Sequence, residues 1–181
     1  MKTRVVYYLN VLAFLAVIAI LGAASFMQWY YHELPCPLCL LQRVGFCLMG
    51  LGFMMNLLHR VSSRYYALSL IASLYTAAVG LRQILLHILP GAAGYGVALF
   101  GLHMYTWTFC IAVGYVLFIS ILLTVYDHDG PAVSQVRSKY WLRVVLGLFL
   151  FILFYNLLSV FLECGIGACP DNPVRYYHHL L

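Results

Sequence analysis

The stretch LPCPLCLLQRVGFCLMGLGFMMNLLHR, residues 34–60, decides the architecture. Two prolines and two cysteines stand at its head, and His59 and Arg60 close it. The apolar run between them has the roughly 20 residues that an α-helix needs to cross a bilayer. Pro35 and Pro37 suit a first helical turn, where a missing N–H costs nothing. Cys39 therefore falls in the first turn of a membrane-spanning helix, and Arg43 lies one turn deeper on the same face.

The same pattern recurs outward from this stretch. Apolar segments over Val5–Trp29, Leu38–Leu58, Tyr66–Ile88, His103–Tyr126 and Trp141–Leu162 predict five spans. Short polar or turn-rich connections separate them: His59 to Arg64, the glycine-rich Pro90 to Gly101, and Asp127 to Lys139. Of the 181 residues 65% are apolar and 8% charged, against about 25% charged in a soluble domain. So few charges cannot cover a soluble surface. The expected fold is an all-α integral membrane protein, a four-helix transmembrane bundle plus a fifth transmembrane helix. It forms a single transmembrane domain over residues 1–181, with no internal repeat. The first segment is read as a retained helix, because its apolar core exceeds the roughly 7–15 residues of a signal-peptide core.

The net charge of +5 does not point to nucleic acid, because the basic residues sit at segment ends. With the N-terminus in the cytoplasm, Lys2, Arg4, Arg60, Arg64, Arg137, Lys139 and Arg143 fall inside. Arg43, Arg82 and Arg175 fall outside. This bias favours a cytoplasmic N-terminus and an outer C-terminus. Cys36 and Cys39 then open the second span from the outer face, and Cys164 and Cys169 follow the fifth span on that same face, where disulfides persist.

Cys36-Pro37-Leu38-Cys39 reads as a redox pair, with a structural disulfide or a metal site as alternatives; a metal would need two further ligands. The helix N-terminus favours a thiolate at Cys39. Arg43 inside the membrane boundary is a functional candidate, suited to stabilising that thiolate or an anionic acceptor beside it; in the alternative it snorkels to the interface. Cys164-Gly165-Ile166-Gly167-Ala168-Cys169 can bend to bring its sulfurs together, as an exchange partner or as a passive staple. Cys47 and Cys110, mid-span, read as small hydrophobes.

Arg82, Gln83 and His87 end the third span near the outer boundary, and His103 opens the fourth at a similar depth. Arg82, Gln83 and His87 are candidates for a polar cofactor headgroup such as the carbonyls of a quinone. A phospholipid phosphate is the alternative for Arg82, and a satisfied helix-end position for each histidine. Trp29, Tyr30, Tyr31, Tyr105 and Trp107 sit where an aromatic belt is expected. Pro90 to Phe100 is apolar enough to lie along the membrane surface and form the lip of a cofactor cleft. His178 and His179 lack support as a metal site. No phosphate-binding loop is present. The two glutamates, Glu33 and Glu163, are both expected at outer boundaries, which argues against an ion-driven transporter.

The run Cys36-Pro37-Leu38-Cys39-Leu40-Leu41-Gln42-Arg43 resembles the Cys-x-x-Cys-x-x-x-Arg signature of DsbB-type disulfide-bond-formation proteins. Arg82-Gln83 with Leu86, Leu89 and Pro90 is similar to the end of that family's third helix, and the likeness covers about residues 5–126. The resemblance implies a bundle in the bacterial inner membrane that reoxidises a periplasmic thioredoxin-fold dithiol oxidase (DsbA-like). Its electrons pass to a membrane quinone, ubiquinone or menaquinone; DsbB with its quinone is the known system that keeps the periplasm oxidising. It further implies catalytic roles for Cys36 and Cys39 beside the quinone, with Arg43 next to the quinone site. The family's second pair lies between the third and fourth helices, whereas here Gly91 to Leu102 holds no cysteine. Cys164 and Cys169 after the fifth helix are read as the relocated shuttle pair. The vitamin K epoxide reductase family is the runner-up, but its shuttle cysteines precede the Cys-x-x-Cys. A rival of another class is a scaffold or assembly factor with two static disulfides.

Overall fold

Seven elements make up the computed structural model, which describes residues 2–31, 34–59, 61–89, 94–96, 98–125, 139–165, 167 and 169. The helices are α1 (Lys2–Tyr31), α2 (Pro37–Leu58), α3 (Ser63–Leu86), α4 (Met104–Val125) and α5 (Lys139–Cys164). Strands β1 (Ala98–Leu99) and β2 (Leu102–His103) pair antiparallel between α3 and α4. All five helices are long and apolar enough to cross a membrane. The expectations for Glu33, Arg60, Arg137, Arg175, His178 and His179 fall outside the described residues.

Local chemistry sets the helix ends. Cys36 has extended backbone, Pro37 opens α2, and the Cys36 sulfur accepts the Cys39 N–H at 3.1 Å as a cap. Ser62 caps α3, and the Asn56 side chain accepts the Ser62 N–H at 2.9 Å, tying the end of α2 to the start of α3. At the other end of the chain Gly165 takes a φ of 62°, and its N–H closes α5 onto the Phe161 carbonyl at 2.8 Å. A left-handed residue at that position is normally glycine, because a Cβ there is penalised.

Helices α1 to α4 form the bundle. α2 packs on α1 and α3, and α3 packs on α4. The Tyr115 hydroxyl of α4 donates to the Ala13 carbonyl of α1 at 2.8 Å, closing the ring. Phe14, Val17, Leu21, Met49, Phe53, Tyr66 and Ile119 are fully buried between the helices. Polar groups inside apolar surroundings must find partners: Asn10 donates to the Tyr66 hydroxyl at 2.6 Å, and Ser69 of α3 donates to the Met49 carbonyl of α2 at 3.0 Å. That last bond depends on Gly52, where an added Cβ would lie 2.7 Å from the Tyr65 carbonyl oxygen and collide with the Ser69 hydroxyl. Small residues at such crossings let membrane helices approach closely. Gly52→Ala is accordingly expected to destabilise the bundle by about 1–3 kcal/mol, read as reduced resistance to unfolding in a denaturing detergent titration.

α5 stands outside the ring and packs on α1 and α2. Its Phe149 is fully buried against Phe14, with ring centroids 5.0 Å apart, and it occupies the space left by Gly50 of α2. The fifth helix is thus seated in the groove between the two helices that carry the Cys-x-x-Cys and its surroundings.

The two-residue strands were not expected, since so short a pair leaves no alternation to read. Their turn places Phe100 at φ 53° and Gly101 at φ 80°, the left-handed pair that tight hairpins require. The Trp107 indole N–H donates to the Leu99 carbonyl at 3.0 Å, and the Tyr95 hydroxyl to the Leu34 carbonyl at 2.6 Å. These bonds hold the α3–α4 connection beside the start of α2.

Candidate functional site

A disulfide joins Cys36 and Cys39 across the first turn of α2, with Cα atoms 5.0 Å apart. The Gln83 side chain of α3 is 1% exposed and reaches this bond. Its Nε2 lies 3.3 Å from the Cys36 sulfur and 3.6 Å from the Cys39 sulfur. Its Oε1 accepts from Gln42 Nε2 at 2.7 Å. That bond orients the amide so that its N–H groups face both sulfurs. Amide donors in this position favour a sulfur that carries negative charge.

Arg43 lies one turn further along α2, and groups on α1 and α5 orient its guanidinium. Nη1 donates to Gln28 Oε1 at 2.8 Å and to Asn156 Oδ1 at 3.3 Å, and Nη2 donates to the Ala24 carbonyl at 3.2 Å. Gln28 in turn donates to the Ser159 hydroxyl at 3.0 Å, and Asn156 donates to the Ile152 carbonyl at 2.8 Å. α1 and α5 therefore hold the arginine jointly. A guanidinium presents its donors in a fixed fork, so such contacts fix its plane.

Cys39, Gln42 and Arg43 line one wall of a cavity of about 160 Å3. Leu21, Met27, Phe46 and Ile111 supply its apolar sides, and Tyr95, Gly96, Tyr105 and Trp107 its rim. An apolar cavity of about 150 Å3 is large enough to take a benzene ring. The cavity thus fits one planar six-membered ring, with a sulfur and a cationic fork at its wall. Of the Pro90–Phe100 segment, expected to form the lip of a cofactor cleft, Tyr95 and Gly96 line this cavity.

The other predicted residues separate. Arg82 is exposed on α3 and does not line the cavity, because the residue beside it, Gln83, takes the inward face. His87 caps α3, its Nδ1 lies 2.9 Å from the Gln83 carbonyl, and its ring stacks on Tyr105 at 5.4 Å. His103 stacks on the same tyrosine at 5.3 Å. Both histidines are set behind Tyr105, which itself lines the cavity.

A second disulfide joins Cys164 and Cys169, with Cα atoms 4.6 Å apart; Cys164 is buried and Cys169 half-buried. The bonds between α5 and the residues around Arg43 put the end of α5 at the same end of the bundle as the start of α2. Both cysteine pairs therefore share one end. Sequence reasoning missed Gln28, Gln42, Asn156 and Ser159 at this site. The available signal was a polar residue standing alone within an apolar span. Glu163, expected at the outer boundary, is 2% exposed, and neither carboxylate oxygen has a hydrogen-bond partner among the described residues.

Residues 6–95 match the family model described as disulfide bond formation protein DsbB. Curated relatives named disulfide bond formation protein B include one from Hahella chejuensis, 35% identical over 94 residues, covering 50% of this chain and 55% of the relative. Another from Methylobacillus flagellatus is 33% identical over 90 residues, 48% of this chain and 44% of the relative. One from Nitrosomonas eutropha is 35% identical over 91 residues, 48% and 56% respectively. The chain spans about half the length of the curated relatives it matches. No solved structure matches it. The matched family segment contains Cys36, Cys39, Arg43 and Gln83, and ends before α4 and α5.

Proposed function

We propose that this chain, a DsbB-type protein over residues 6–95, is a membrane thiol oxidase that supports protein disulfide formation. It sits in a bacterial inner membrane with both cysteine pairs on the periplasmic side. There it reoxidises a thioredoxin-fold dithiol oxidase of DsbA-like chemistry and passes the electrons to a membrane quinone, ubiquinone or menaquinone. The observation that carries this reading is the placement of Cys39 and Arg43 on one wall of a ring-sized cavity.

The residues present suit a quinone head: apolar walls for a flat ring, and the fork of Arg43 with the amide of Gln42 for its carbonyl oxygens. A bound quinone supplies a two-electron, two-proton acceptor. The protein's own residues do the rest. The partner's thiolate attacks the half-buried Cys169, and the partner leaves oxidised with the tail pair reduced. The tail dithiol then reduces Cys36–Cys39 by a second exchange. The helix N-terminus and the Gln83 amide favour the thiolate at Cys39, the sulfur that faces the cavity. Arg43 stabilises negative charge developing beside it.

The test is quinone reduction by the purified protein. With reduced thioredoxin as electron donor and a short-chain ubiquinone as acceptor, the wild type is expected to turn over. The double variant Cys164→Ser/Cys169→Ser should lose at least about 100-fold with thioredoxin yet keep quinone reduction with dithiothreitol, which reaches Cys36–Cys39 directly. A wild type that reduces no quinone with either donor, with both disulfides resisting reduction together at graded potentials, would support a static scaffold instead.

A further inference from the structure

Glu163 has no place in that scheme, yet its position is unusual. It is 2% exposed, and both carboxylate oxygens lack a hydrogen-bond partner among the described residues. Buried carboxylates normally have partners, because an unpaired one is costly.

Asn156, Ser159 and Glu163 recur at i, i+3 and i+7, so they share one face of α5. Asn156 bonds Arg43 and Ser159 bonds Gln28, so this face is turned toward α1 and α2. At 1.5 Å per residue, Glu163 stands about 10 Å beyond Asn156 along α5. Cys36 precedes Arg43 by the same seven residues on α2, which runs the other way, so it too stands about 10 Å beyond Arg43. Glu163 is thus level with the Cys36–Cys39 disulfide and directly precedes Cys164, a member of the other one.

We propose that Glu163 is the proton carrier for thiol–disulfide exchange between the two cysteine pairs. This rests on the relay proposed above. With the tail pair reduced, the Glu163 carboxylate takes the proton of the Cys164 thiol. The Cys164 thiolate attacks the Cys36 sulfur, forming Cys164–Cys36 and breaking Cys36–Cys39, and Cys39 leaves as a thiolate. Cys169 then loses its proton to water and attacks Cys164, restoring Cys164–Cys169. The departing Cys36 sulfur receives the proton held by Glu163. Two electrons have moved from the tail pair to Cys36 and Cys39, one proton has been relayed and one released, and Glu163 is again a carboxylate.

Two assays on the full-length protein with a short-chain ubiquinone test this. Glu163→Gln is expected to slow thioredoxin-driven quinone reduction about 100-fold, the usual scale of a lost acid–base group. Glu163→Asp should recover most of that loss. In the Cys164→Ser/Cys169→Ser background, dithiothreitol-driven reduction should change less than twofold on adding Glu163→Gln, which also reports an intact cavity. An unchanged thioredoxin-driven rate in Glu163→Gln overturns the proposal. An equal fall in both assays also overturns it, and assigns Glu163 to the support of Arg43. A wild type inactive with both donors overturns the underlying relay itself, and this proposal with it.

Discussion

Replacing Cys39 with serine is expected to abolish quinone reduction with every electron donor, a fall of at least about 1000-fold. Cys39 is the one sulfur of the four that lines the cavity. It also occupies the first turn of α2, where unpaired N–H groups and the helix dipole favour its thiolate. Serine keeps the shape of the turn but cannot form a disulfide, so in the proposed relay electrons from the tail pair would have no route to the cavity. The variant should still fold, because the Cys36 sulfur caps the Cys39 N–H, a backbone donor that serine retains. Its remaining Cys36 is expected to collect as a mixed disulfide with Cys164, visible by alkylation and mass spectrometry. Full turnover in Cys39→Ser would remove the basis of the proposed function.

The second large effect is expected at Arg43. Arg43→Leu should lower kcat/KM for quinone by about 100- to 1000-fold, the scale observed when a single donor to developing negative charge is removed. Two losses combine. The fork no longer faces the cavity, and Gln28 and Asn156 each lose a charged donor at 2.8 and 3.3 Å. Arg43→Lys keeps the charge but not the planar fork that spans both amides, so partial recovery, on the order of tenfold, is expected. Exchange between the two cysteine pairs, followed without quinone, should be affected far less than quinone reduction. A variant Arg43→Leu with wild-type kcat/KM would show that the cavity wall does not serve the acceptor.

The two results would separate the parts of the site. Loss at Cys39 would report the proposed electron path, and loss at Arg43 the proposed acceptor pocket. Three helices on different segments of the chain hold the guanidinium at the pocket wall: α1 through Gln28 and Ala24, α2 through Arg43 itself, and α5 through Asn156. α5 lies outside the segment that matches the family model. It nevertheless contributes to the surroundings of Arg43 as well as carrying the tail pair, so shortening or replacing it would disturb both.

Much of this was legible in the order of residues. Length and hydropathy are enough to count five spans, because a bilayer demands roughly 20 apolar residues per crossing. Four spans, the second to the fifth, separate the two cysteine pairs, so an even number of crossings returns the chain to the same end. The four-residue step from Cys39 to Arg43 puts both on one helical face whatever the packing. The three-dimensional structure alone decided which face of each helix turns inward. A helix between lipid and protein is apolar on both sides, so the periodicity that orients a soluble helix is lost. Contact between small residues and pairing of isolated polar groups set the rotation instead. That is why Arg82, a candidate by its type, turns outward while Gln83 beside it clasps both sulfurs. It is also why Asn156, Ser159 and Glu163, scattered through an apolar segment, form one buried polar stripe from Arg43 to Cys164.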